Sequence, residues 1–202
     1  MFTHDIDSHH NFNVSNPCPF VPLPNGDDLE TGTMARPDRP GAPKTDYEEV
    51  WRYLPFREGP DGPGCGISWI LESEFEECPL GDGQHMITKV FLGRIWGTYL
   101  AFHQDQVHVV SQARLGNRDR DVKVTGGEVS ALREEWAHGR WERKYSLGPN
   151  TGALPSLLQG IDDRSQESSW HAGVKVIVGG CRYVVRAFEH AAARTTMVFS
   201  RL

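Results

Sequence analysis

The sequence predicts an all-β protein, an antiparallel meander with glycine bends of the kind a barrel needs in order to close. Three observations carry this. The 202 residues include 21 glycines and 13 prolines, and such turn-rich composition suits short strands better than long helices. Runs of β-branched and aromatic residues recur between turn signals at intervals of roughly a dozen residues. There is no internal repeat and no helix–strand alternation that would indicate a parallel sheet.

Taken in order, residues 1–25 are polar and proline-punctuated and read as a flexible tail, with His4, His9 and His10 close together but nothing to hold them in a metal geometry. PNGDD (24–28), RPDRPGAP (36–43) and REGPDGPG (57–64) are turn signals. Between them lie ETGTMA, DYEEVWRYLPF (46–56) and CGISWILESE. Tyr47, Val50, Trp51 and Leu54 fit a helical template by spacing. The segment is short, however, and its proline-rich borders, strand-like neighbours and aromatic content predict a strand. HMITKVFLGRIWGTYLAFHQD (85–105) is long and β-rich, with Gly93 and Gly97 marking bends or bulges inside it. QVHVVSQA (106–113) follows. Residues 129–147 read as two strands with His138-Gly139 at the tip, LPSLLQGI (154–161) as a short helix, and VKVIVGGCRYVVRAFE (174–189) as a hairpin turned by Gly179-Gly180.

Composition narrows the function classes. A net charge of −6 argues against a nucleic-acid partner, whose phosphates repel an acidic surface. No apolar run reaches the ~18 residues of a membrane helix, and the N-terminus lacks the basic and apolar regions of a signal peptide. Cys18, Cys65, Cys78 and Cys181 are far apart, with no C-x-x-C pair, which suits free thiols in a reducing compartment. These features predict a soluble, cytoplasmic protein. There is no P-loop, no G-x-G-x-x-G after a strand, no G-x-S-x-G elbow and no H-E-x-x-H, so the expectation for cofactors and metals is none.

The strings PLPNGDDLETGTM, DYEEVWRYL, SWILE, GRIWG, KYSLG, LPSL and VVRAFEH resemble, in that order, the second half of the fungal Hri family. THDIDS resembles the linker that precedes that half. The family carries two lipocalin-like β-barrels in tandem, so the resemblance implies a single antiparallel lipocalin-like β-barrel here over 26–202, with the first barrel absent. Its founding yeast member partners a casein-kinase-type enzyme, and the resemblance carries over no catalytic residue.

An eight-stranded barrel has room inside for side chains or one small ligand. As a strand, DYEEVWRYLPF places Tyr47, Glu49, Trp51 and Tyr53 on one face. Turned inward, Glu49 would be a desolvated acid among rings; turned outward, it is simply wet. Read as one continuous strand, GRIWGTYLAFHQD aligns Arg94 and Trp96 with Thr98 and Leu100, and Ile95 and Tyr99 with His103. An inward Arg94 could polarise a carbonyl, against the alternative of a surface arginine or an ion pair to a glutamate such as Glu72. His103 is the best-placed imidazole for acid–base work. Trp136 on one strand, and Trp141 with Tyr145 on the next, would line an aromatic pocket or form an ordinary core.

The leading expectation is therefore a barrel that encloses a small apolar metabolite and promotes its cyclisation or isomerisation. Glu49, Arg94 and His103 would be catalytic, and Tyr47, Trp51, Tyr53, Trp96, Trp136, Trp141 and Tyr145 would line the ligand site. Fold-level analogy with fungal cofactor-free cyclases supports it. The alternatives are a non-catalytic binding or scaffold protein with a kinase-type partner, and a hydrophobic-ligand carrier. A homodimer is compatible with any of them. A filled barrel with an exposed apolar patch would mark the scaffold.

Overall fold

The computed structural model describes residues 5–6, 19–36, 39–52, 56–74, 77–110, 122–159 and 164–191. They are all-β and antiparallel, and they divide into two compact units, Met1–Pro55 and Phe56–Leu202.

The first unit is a three-stranded sheet in the order β1 (Phe20–Pro22), β2 (Asp28–Ala35), β3 (Lys44–Trp51). DYEEVWRYLPF is thus a strand from Asp46 through Trp51, with Arg52 just past it and 53–55 outside the described residues, and a further strand, β1, lies within the stretch read as tail. Gly32 faces Tyr47 across the β2–β3 ladder. The Tyr47 ring lies over the bare glycine, and its hydroxyl donates to Glu30 Oε1 at 3.0 Å. Arg52, just past β3, grips Asp27 in the β1–β2 turn with two hydrogen bonds of 2.8 and 2.7 Å. This bidentate pair holds the Asp27 carboxyl below its ordinary pKa.

The second unit is a nine-stranded sheet built on one long hairpin, β6 (Gln84–Ile95) and β7 (Thr98–Val110). At the turn end the hairpin is flanked by β4 (Gly66–Ser73) and β9 (Ser130–Ala137). At the far end its neighbours are β5 (Glu77–Gly81) and β8 (Val122–Gly126). Beyond β9 lies β10 (Arg140–Leu147), and beyond β4 lie β12 (Cys181–Ala191) and β11 (Lys175–Val178). Strands β10 and β11 are edges, so the ladder among the described residues is open rather than a closed barrel.

Two turns follow the sequence directly. His138 and Gly139 have φ of 53° and 75°, and Gly179 and Gly180 have 57° and 80°, the positive pair that matches hairpin twist. The third does not. The stretch read as one strand through Gly97 folds back on itself, with Trp96 at φ 51° and Gly97 donating its N–H to the Arg57 carbonyl at 2.9 Å. Arg94 therefore pairs with Tyr99 on the same face, while Leu100 takes the other. LPSLLQGI also differs from its reading. A 3-10 turn occupies Thr151–Ala153, residues 154–159 form no helix and hold one turn at Leu157-Leu158, and 160–161 lie outside the described residues.

The inner face of the sheet is layered. Val185, Leu71, Leu92, Ala101 and Leu132 form one cross-strand row. Trp69, Arg94, Tyr99, Glu134 and Arg143 form the next. The segment after β10 packs over both, contributing Leu154, Leu157 and Trp170 to the core. Trp69 meets Tyr99 and Trp170 edge-on, at 6.0 and 5.6 Å between ring centroids. This burial of large apolar side chains is the main stabilising contribution.

Candidate functional site: a polar inner row and an apolar outer face

The second inner row alternates in charge across three strands, and each charge is spent on the segment that covers it. Arg94 on β6 is buried, and a lone buried guanidinium would be costly. It donates through Nη1 to Glu167 Oε2 at 2.6 Å, through Nη2 to Asp61, and through Nε to the Trp96 carbonyl at 3.0 Å. Its guanidinium also lies 5.8 Å from the Trp141 ring centroid, a favourable cation–π placement. The partner is a glutamate, as one sequence reading held, but it is Glu167 rather than Glu72. Glu72 instead meets Lys89 and Arg186.

Glu134 on β9 is the counterpart. It accepts from the Leu157 backbone N–H at 2.7 Å, from Ser156 Oγ at 2.5 Å and from Arg143 Nη2 at 2.9 Å. Tyr99 donates its hydroxyl to the Pro155 carbonyl at 2.8 Å. Burial, with the Glu134 charge beside it, pushes the Tyr99 phenol well above its ordinary pKa. It therefore stays a donor. The row clamps residues 155–157 with one set of contacts and Glu167 with the other. The indole nitrogens of Trp69 and Trp141 are buried there without a hydrogen-bond partner.

The structure distributes the expected site residues. Tyr47, Glu49 and Trp51 share a face of the first unit, and Glu49 is exposed; Tyr53 lies outside the described residues. Arg94 is in the second unit, tied as above. His103 sits farther along the inner face of β7, with Nε2 3.6 Å from Asp105 and Nδ1 3.5 Å from Asn150. Trp96 is at the β6–β7 tip, 5.2 Å from the Phe56 ring. Trp136 and Trp141 meet edge-on at 5.8 Å and turn to the core, as expected. Tyr145 does not. A bulge between Arg143 and Tyr145 reverses the alternation, and Tyr145 points outward. Among the described residues, no group of three His, Cys, Asp or Glu is placed to hold a metal, and no helix is long and apolar enough to cross a membrane.

The outer face of the same strands has a different character. Ile70, Gly93, Leu100, Arg133 and Tyr145 are consecutive partners across β4, β6, β7, β9 and β10. Phe91, Phe102, Ala131 and Leu147 form the adjacent row. Exposure is 48% at Ile70, 48% at Ile95, 37% at Leu100, 62% at Tyr145 and 65% at Leu147. Taking roughly 200 Å² for a side chain of this size, these five leave on the order of 500 Å² of apolar surface in water, the scale at which patches mark interaction sites. Arg133, within it, pairs with Glu135 at 2.6 Å, a carboxylate that Arg57 also meets at 2.8 Å.

Sequence reasoning singled out neither Glu134 as a site residue nor Glu167, Asp61 and Tyr99. Glu134 could have been found, since it shares an alternating face with Leu132 and Trp136 that was read as inward. The family profile described as Protein HRI1 matches residues 1–184. No curated protein and no solved structure matches the chain significantly.

Proposed function

The chain belongs to the HRI1 family, and we propose that it is a non-catalytic binding protein that engages another protein through the outer face of its larger sheet. The observation that carries this reading is the register-continuous apolar patch of Ile70, Ile95, Leu100, Tyr145 and Leu147. The interior supports it as well. Of the three catalytic candidates, Arg94 is already committed to two carboxylates and His103 stands beside Asp105 and Asn150. Glu49, the remaining one, is an exposed residue of the other unit. A partner of the kinase type remains the first heterologous candidate that the family resemblance suggests.

The test sets surface against interior. A photo-crosslinking residue at position 100 should capture a protein, and Tyr145→Lys with Leu147→Glu should abolish the capture while Glu49→Gln and His103→Gln leave it intact. Native mass spectrometry of the purified chain should give the bare protein mass or a multiple of it. A co-purifying small organic molecule that is converted on incubation would overturn the reading in favour of a catalyst.

A further inference from the structure

The outer face has a pattern of large and small residues that limits what can cover it. Gly93 lies between Ile70 on β4 and Leu100 on β7. A Cβ built there would meet nothing closer than the Trp69 carbonyl oxygen at 4.0 Å, so the face has a notch at that point. Tyr145, on the same cross-strand row, is more exposed than Ile70 or Leu100. In the adjacent row Phe102 sits beside Ala131. Knob and notch are thus both present on one surface, three strands apart.

Consider a two-fold axis parallel to the strands and midway between β7 and β9. Such an axis brings β6 over the partner's β10 and β7 over the partner's β9, while the rows stay aligned. Tyr145 then enters the notch at Gly93 of the other copy, Phe102 lies over its Ala131, Phe91 over its Leu147 and Leu100 over its Arg133. Every contact occurs twice, as an isologous interface requires. At two of these four contacts a ring meets a glycine or an alanine, and large-on-small pairing of that kind lets sheets pack face to face at about 10 Å. Arg133 reaches the interface paired with Glu135, a carboxylate that it shares with Arg57. The axis leaves Ile70 on β4 outside the contact and sets Ile95 over the partner's Glu142; the exposed apolar area it covers, about 400 Å², is half of the ~800 Å² per partner of a standard interface.

We infer that the protein seated on this face is a second copy of the chain, so that the apolar patch is the interface of a two-fold homodimer with Tyr145 inserted over Gly93. The inference rests on the proposed function and names its partner.

Sedimentation equilibrium of the full chain tests it. The wild type should be dimeric. Gly93→Leu fills the notch, and its Cβ would meet nothing of its own chain closer than 4.0 Å, so circular dichroism should be unchanged while the dimer dissociation constant rises about tenfold or more, the loss expected at an interface hot spot. Tyr145→Ala added to Gly93→Leu should restore association to within a few-fold of Tyr145→Ala alone, because one double variant repairs both halves of a two-fold contact. A monomeric wild type, or a dimer indifferent to Gly93→Leu, would overturn the inference. In that event the crosslink at position 100 separates the two ideas. A different protein captured there, and lost with Tyr145→Lys, preserves the binding reading; no capture at all ends both.

Discussion

Glu134 holds the backbone of Leu157: its carboxylate accepts that N–H at 2.7 Å from across the sheet interior. The same carboxylate takes Ser156 Oγ and Arg143, so one side chain fixes the segment that covers the core. Glu134→Ala should destabilise the second unit by about 3 kcal/mol, the cost of stranding buried polar partners. Glu134→Gln keeps an acceptor for Leu157 and should cost about half as much. Urea midpoints at constant m-value check this; equal losses in the two variants would mean that the backbone bond is not what matters.

Arg94 and Glu167 form the second clamp. Arg94→Met removes the guanidinium from which the buried Glu167 Oε2 accepts and should cost about 4 kcal/mol. Glu167→Met should cost somewhat less, because Arg94 keeps Asp61. Combining the two removes both charges, and the double variant should be more stable than Arg94→Met alone. Non-additivity of 1 kcal/mol or more in the cycle is expected for groups in direct contact. Simple additivity would show that the pair is not coupled.

The sequence-to-structure outcome turns on three local features. Strand segments and the turns at His138-Gly139 and Gly179-Gly180 were legible because residues that tolerate positive φ stand at both turn positions. The β6–β7 turn was not, because Trp96 takes φ 51°, a conformation that bulky side chains rarely adopt. That one missed turn assigned Arg94 and Leu100 to a common face when they point oppositely. The bulge at Arg143/Tyr145 did the same to Tyr145, since an extra residue in a strand leaves no signature in alternation alone. Both errors fell on the surface that became the candidate interface. The segment after β10 was misread for another reason. Leu154 and Leu157 are spaced as on a helix, but hydrogen bonds from Tyr99 to the Pro155 carbonyl and from the Leu157 N–H to distant Glu134 hold the backbone there, which local periodicity cannot report.

Gly97→Ala should be among the most damaging single substitutions outside the core. Its Cβ would fall against the carbonyl of Glu58, which is main chain and has little room to yield. Gly97 also donates to Arg57 and accepts from the Trp136 N–H at 2.7 Å, so a shift disturbs both neighbours of the turn. Overpacking of this kind costs about 1–3 kcal/mol. Gly139→Ala at the β9–β10 tip meets open space and should carry only the smaller cost of its positive φ. Thermal melts of the two should differ clearly; equal losses would mean that backbone conformation, not crowding, governs these turns.

Glu142 on β10 gives a pH prediction with a definite sign. Hydrogen bonds from His138 first and Lys144 second depress its pKa from 4.5 to about 2. Arg140 adds a positive charge at 3.6 Å, while Glu135 on the facing strand opposes them. A folded pKa below the unfolded one means that the carboxylate contributes stability fully above pH 4.5 and loses it progressively as pH falls toward 2. A carbon-detected NMR titration should therefore find Glu142 among the last carboxylates to protonate. His138→Ala should raise its pKa, flattening the acid loss of stability contributed at this site. An ordinary glutamate titration in the wild type, or no movement in His138→Ala, would remove the His138–Glu142 contact as the cause.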